Sequence, residues 1–226
     1  MPDYLVIGAD RGIGLAVCRQ LAARGETVVA ACLGRGEAHD GSGVEVIPEI
    51  DVTSGAAVAR MAGALAKRGG RIGRLIHVAG VLGLDALGSL DFGDVRRQIE
   101  INTIGPLRAV EAALPHLAAG ARVGIVTSRV GSLADNGTGG MYAYRVSKAG
   151  ANMVALNLHH DLSKRGIAVA ALHPGMVATD LTKDIPGDFD YITPDEAAAG
   201  LIRRMDALSL ESSGRFWHAN GEDLPW

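Results

Sequence analysis

The chain has 226 residues, 48% of them hydrophobic and 4% aromatic, with 31 glycines and a formal net charge of −3. That size and apolar share suit one domain around one sizeable core, and the small negative charge offers no basic field to nucleic acid or an acidic membrane surface. No apolar run approaches the roughly 20 residues that a bilayer crossing requires, and Cys18 and Cys32 are too few for a disulfide framework or a metal site.

Met1-Pro2-Asp3 leads directly into a short apolar run with no basic segment before it, so a reducing cytoplasm is the expected compartment. Tyr4 to Gly8 reads as a buried strand and Gly12 to Ala22 as the helix after it. The turn between them, Gly8-Ala9-Asp10-Arg11-Gly12-Ile13-Gly14, has glycine at its first, fifth and seventh positions. A strand that enters a helix through such a turn lets backbone approach a pyrophosphate, whose charge the helix N-terminus stabilises. Thr27 to Leu33 is a second strand, followed by a glycine-rich stretch, 34–43. No acidic residue stands at that strand's end to accept from an adenosine ribose, whereas Arg11 and Arg35 are placed for a 2′-phosphate. The expected cofactor is NADP(H) in preference to NAD(H).

Val44 to Ile50 is a third strand, and Asp51-Val52-Thr53 leads into a helix over 55–68, with Thr53 or Ser54 as its N-cap. Asp51, at a strand's carboxyl end, is placed for the adenine edge. Arg74 to Gly80 is the fourth strand. Residues 94–117 read as one long helix that Gly105-Pro106 kinks, and Asn102 beside the break is expected to hold a water with free amide groups. Arg122 to Ser128 is the fifth strand, and the polar, glycine-rich loop 129–140 runs over the sheet edge.

A long helix over 141–164 opens with Tyr142-Ala143-Tyr144-Arg145-Val146-Ser147-Lys148. Tyr144 and Lys148 are four residues apart, one turn along the same face. An ammonium beside a phenol is expected to pull its pKa down from about 10, giving a group able to exchange a proton with a carbonyl or alcohol oxygen. Tyr142, six residues from Lys148, points to a different face. Ile167 to Leu172 is the sixth strand, followed by His173-Pro174-Gly175-Met176-Val177-Ala178-Thr179-Asp180, a flap over 181–192, a helix from Pro194 to Leu208 and a last strand, Gly214 to Trp217. The alternation predicts an α/β fold, a Rossmann-type doubly wound parallel sheet of about seven strands with helices on both faces, as one domain over 1–226.

Taken together, these motifs resemble the short-chain dehydrogenase/reductase family along nearly the whole chain, and within it the C-factor-type members. Gly8, Gly12 and Gly14 match the family's Gly-x3-Gly-x-Gly turn, Asp51-Val52 its adenine-side pair, and Asn102, Ser128, Tyr144 and Lys148 its catalytic tetrad in order. Pro174 to Thr179 match the Pro-Gly segment after the sixth strand. The resemblance implies an NAD(P)-dependent oxidoreductase that moves hydride between nicotinamide and a small or medium carbonyl or alcohol. Tyr144 would exchange the proton, Lys148 would tune it and hold the nicotinamide ribose, Ser128 would hold the substrate oxygen, and Asn102 would fix a relay water.

The cofactor-binding set it implies comprises Gly8, Asp10, Arg11, Gly12, Ile13, Gly14, Arg35, Asp51, Val52, Ala79, Gly80, Asn102, Tyr144, Lys148, Pro174, Gly175, Val177 and Thr179, without a metal. Two places depart from the family pattern: its Asn-Asn-Ala-Gly reads His77-Val78-Ala79-Gly80 here, and the Ser128 to Tyr144 separation is longer, with Thr127, Ser132 and Ser147 as competing hydroxyls. Leu82, Leu84, Arg129, Val130, Met141, Met176 and the 181–192 flap would wall the substrate pocket. The apolar faces of helices 94–117 and 141–164 predict a homodimer or homotetramer. A dinucleotide-binding redox sensor or signalling protein with little turnover is the alternative.

Overall fold

The computed structural model describes residues 3–226. Seven strands, β1 (Asp3–Ile7), β2 (Val28–Ala31), β3 (Glu45–Ile47), β4 (Ile72–His77), β5 (Leu117–Val126), β6 (Ala168–His173) and β7 (Arg215–His218), form one sheet in the order β3-β2-β1-β4-β5-β6-β7. Every neighbouring pair is parallel. A parallel sheet covered on both faces needs strands that are apolar on both sides. Leu5 and Ile7 face one core together with Val58, Met61, Val110 and Ala155, whereas Tyr4 and Val6 face another with Val17, Leu21, Leu201 and Met205. The period-two alternation of β1 thus feeds both layers.

The first core is roofed by α2 (Gly55–Arg68), α4 (Gly105–Ala113) and α5 (Tyr142–Leu162), the second by α1 (Gly12–Ala23) and α6 (Pro194–Ala207). Strand order reverses between β1 and β4, and the crevice outside the carboxyl ends at such a point is where open α/β sheets bind ligands. Among the described residues no helix is long and apolar enough to cross a membrane.

The expected long helix over 94–117 is instead four pieces, the last a 3-10 turn at Leu114–His116. Helix α3 (Phe92–Ile99) passes into a π-helical turn, Glu100–Ile104, and only then into α4. The irregularity lies before Gly105-Pro106, because Pro106 sits in the first turn of α4, where its missing N–H costs nothing. Leu117, the last residue of the expected helix, already belongs to β5, which starts five residues before the expected Arg122 and whose register breaks between Leu117 and Arg122. Of the two possible caps for α2 the structure uses Ser54, whose hydroxyl accepts from Ala57 N at 3.2 Å. Thr53 turns back to Asp51, donating Oγ1–H to Oδ1 at 2.8 Å.

Candidate active site

The glycine turn follows from close approach. A Cβ on Gly14 would lie 2.1 Å from the Gly8 carbonyl oxygen, and one on Gly8, at φ +83°, would lie 2.5 Å from Ala79 N. The start of α1 is therefore pressed against the end of β1, and the turn against the Ala79-Gly80 segment after β4. Arg11, the N-cap of α1, makes no side-chain cap and no acid occupies the first turn, so the first N–H groups of a twelve-residue helix face outward. That is a site for a pyrophosphate. Thr179 reaches the same place from beyond β6: a Cβ on Gly12 would stand 3.5 Å from its Cγ2. Arg11 Nη1 pairs with Asp180 Oδ2 at 2.8 Å across the mouth.

The second half of the site is built on α5. Ser128 ends the chain leaving β5, and Gly131, three residues on, lets that turn lie directly on the helix, since a Cβ there would meet the Lys148 carbonyl carbon at 2.6 Å. Tyr144 and Lys148 are both buried, with Lys148 Nζ 5.7 Å from the Tyr144 ring centre, whereas Tyr142 is exposed. Lys148 Nζ donates to the Val126 carbonyl at 3.3 Å. Gly80 lies between Lys148 and Asn102, its virtual Cβ 3.4 Å from Nζ and 3.2 Å from Oδ1.

The π-helical turn aims Asn102 inward. Its Nδ2 donates to the Val81 carbonyl at 2.8 Å and to Ser147 Oγ at 2.9 Å, while Oδ1 accepts from Val81 N at 2.9 Å. The expected free amide is absent: both N–H groups are used to tie α5 to the loop after β4. The competing hydroxyls are likewise engaged. Ser147 donates to the Tyr144 carbonyl, Thr127 to the Lys148 carbonyl and Ser132 to the Trp226 carbonyl.

Burial dominates the electrostatics. The Tyr144 phenol is pushed up to about 12 by burial, against a smaller downward pull from the Ser128 hydroxyl beside it, and burial brings Lys148 down to about 8. The expected lowering of Tyr144 by Lys148 does not occur in this structure. The two share a helix face, but the ammonium is directed at Val126 and loses solvation, and desolvation of the phenol outweighs any charge effect.

Residues 4–188 match the short chain dehydrogenase family. The chain is a short-chain dehydrogenase. It is 58% identical over 226 residues, all of both chains, to the 1-hydroxy-2-glutathionyl-2-methyl-3-butene dehydrogenase of Rhodococcus sp. (strain AD45). It is 45% identical over 161 residues to the C-signal protein of Myxococcus xanthus, covering 70% of this chain and 94% of that one. A carbonyl reductase from chicken fatty liver, solved with NADPH bound, superposes with a TM-score of 0.90 at 29% identity over 100% of this chain and 99% of that one.

In this short-chain dehydrogenase the remaining expected residues divide. Ile13 packs against the second core, Val52 is buried with its carbonyl held by Arg108 at 2.6 Å, and Asp51 caps its own turn through Thr53 N at 2.8 Å. Pro174 is buried, and Gly175 turns the chain at φ +97°. Val177 is paired with Ile192, which anchors the far end of the 181–192 flap. An open depression of about 440 Å³ is formed between the segment after β6 and the flap, lined by Ala178, Thr179, Asp180, Thr182, Lys183 and Tyr191. Arg129 is held by Asp135 and Glu222, so its charge is already matched. Arg35 stays on the exposed turn past β2 and has no hydrogen bond or ion pair among the described residues.

Asp10 does not face the turn's outer side. Its Oδ2 accepts from Leu33 N and its Oδ1 from Gly34 N, each at 2.7 Å, at the end of β2. His77, in place of the family's asparagine, is 1% exposed with Nε2 unpartnered, and burial, then the Lys148 charge, lowers its pKa to about 3. Sequence reasoning missed Asp85, whose carboxylate accepts from the first N–H groups of α5, Tyr142 and Ala143. It also missed Arg145, which ties α5 to loop 129–140 through Gly139, Gly140 and Val130 carbonyls. Both are pairings across the fold or into an irregular loop, without a periodic signal.

Proposed function

We propose that this short-chain dehydrogenase interconverts a small or medium alcohol and its carbonyl compound using a nicotinamide dinucleotide. The observation that carries the reading is the meeting of Ser128, Tyr144 and Lys148 beside Gly80, in the same crevice as the outward-facing N-terminus of α1. The glycine turn and the N-terminus of α1 would hold the dinucleotide, which would supply or take up the hydride when bound. Tyr144, protonated at neutral pH, gives its proton to the substrate oxygen, and Ser128 holds that oxygen through its hydroxyl. Lys148 restores charge balance beside the phenol. Asn102 acts by position, fixing Ser147 and Val81 so that the tyrosine's helix and the loop after β4 keep their spacing.

Arg11 and Arg35, together with the NADPH in the chicken reductase, are what support an NADP(H) preference. The Rhodococcus relative's name supports an alcohol carrying a glutathionyl thioether as substrate. A panel of simple alcohols, ketones and S-(2-hydroxyalkyl)glutathiones, assayed with both oxidised and both reduced nucleotides, tests the reading. Turnover of at least one member of the panel is expected, and no nucleotide-dependent turnover of any member would sink it. Similarity to the C-signal protein favours a second reading, a dinucleotide-binding signalling protein with little turnover.

The chain would act as a single unit over 1–226 in a reducing cytoplasm, the compartment in which Cys18 and Cys32, both buried and free, stay thiols. Exposed Tyr142, Val146 and Met153 make an apolar stripe along α5, with Ile104 and Leu107 beside it near α4. We expect a homodimer or homotetramer through that stripe. Sedimentation at micromolar concentration checks it; a mass near 23.4 kDa would contradict it.

A further inference from the structure

We infer that Asp10 sets the nucleotide preference of this chain toward NAD(H) by placing a carboxylate where a 2′-phosphate would otherwise bind. The inference rests on the reading of the chain as a nicotinamide dinucleotide enzyme. It runs against the preference expected from its arginines. In dinucleotide folds the end of β2 faces the adenosine ribose, and an acid there accepts from the 2′-hydroxyl. The β2 end of this chain carries Leu33, an apolar side chain that is 65% exposed, and then Gly34. The acid is delivered instead from the glycine turn, 23 and 24 residues earlier in the chain.

The geometry of that delivery decides the preference in three ways. First, each Asp10 oxygen accepts one backbone N–H at 2.7 Å. A lone pair remains on each to accept from ribose hydroxyls. Second, Leu33 N and Gly34 N are consumed, so these two backbone donors are not available to a phosphate. A phosphate monoester carries close to two negative charges and would meet a fixed carboxylate in place of donors. Gly34 makes the approach possible, since even a Cβ there would lie 3.3 Å from Asp10 Oδ1.

Third, of the two arginines, Arg35 stays on the turn past β2 without a partner among the described residues, while Arg11, in the glycine turn itself, is turned away. Arg11 pairs with Asp180, in the segment after β6, and β6 lies on the other side of β1 from β2 in the sheet order. The Asp10 charge is felt locally: after burial, it is the second cause that raises the Cys32 thiol to about 11.

Calorimetric titration of the wild-type protein, Asp10→Asn and Asp10→Ser with NADH and NADPH, at one ionic strength, tests the assignment. The wild type is expected to bind NADH at least about tenfold more tightly than NADPH, and both variants to move the affinity ratio toward NADPH by about tenfold. Loosening the turn would weaken both nucleotides alike. An unchanged ratio in both variants, with or without weaker binding, therefore overturns the assignment, as does a wild type that prefers NADPH. Failure of the wild type to bind either nucleotide overturns the dinucleotide reading itself, and this inference with it.

Discussion

Tyr144→Phe is expected to reduce turnover by about a thousandfold or more while leaving nucleotide affinity within about twofold. Phenylalanine fills the same buried volume, and the hydroxyl it lacks is the one that meets Ser128. The substitution therefore removes the proton donor without opening a cavity. Steady-state rates with the best substrate of the panel, alongside calorimetry with NADH, separate the two effects. A Phe variant that retains a tenth or more of the rate would show that the proton comes from elsewhere. A signalling protein would keep its partner response in that variant, because nothing in recognition requires an acidic phenol.

The second large effect concerns acid stability. His77 titrates near 3 in the folded chain against an ordinary value of 6.5, and so does His173, which is partly exposed. Between those values the unfolded chain takes up protons that the folded chain refuses. Stability present above pH 6.5 is thus lost progressively as pH falls. For His77, 1% exposed, the loss is on the order of 2 kcal/mol by pH 4.5, with a smaller share from His173.

Urea unfolding of wild type and His77→Asn at pH 7.5 and 4.5 measures this directly. Asparagine does not titrate there, so the variant should lose less stability between the two pH values by about the His77 share. An equal loss in both proteins would mean that His77 is already protonated in the folded chain, or free of the buried position assigned to it.

How much of this was legible beforehand differs by element. β1, β2 and β6 were readable because their apolar runs are short, continuous and bounded by glycine or a turn, and a strand buried on both faces leaves that trace. The glycine turn was readable because a Cβ on Gly14 would lie 2.1 Å from the Gly8 carbonyl oxygen, so the turn tolerates no side chain there. The π-helical turn at Glu100–Ile104 was not, since a single extra residue per turn leaves the apolar period nearly unchanged. The β5 start at Leu117 was hidden for a related reason: Leu114, Leu117 and Ala121 continue a helical spacing, and pairing with Ile72 overrides it.

The amino-acid sequence by itself determined the alternation of strands and helices, the crevice at the carboxyl ends, and the candidates Ser128, Tyr144 and Lys148, because each depends on local spacing or on one residue type at one strand end. Only the tertiary structure decided the state of those groups. Burial raises the Tyr144 phenol where the neighbouring lysine alone would have lowered it, and desolvation depends on what the rest of the chain packs around it. The Asn102 amide is tied to Val81 and Ser147, and Arg11 is drawn to Asp180, through partners 21 to 169 residues away. Asp10 reads as a turn residue until β2 brings two amide N–H groups to its carboxylate. Hydrogen bonds between distant segments carry no period and no motif, so they become visible only when the fold has brought both ends together.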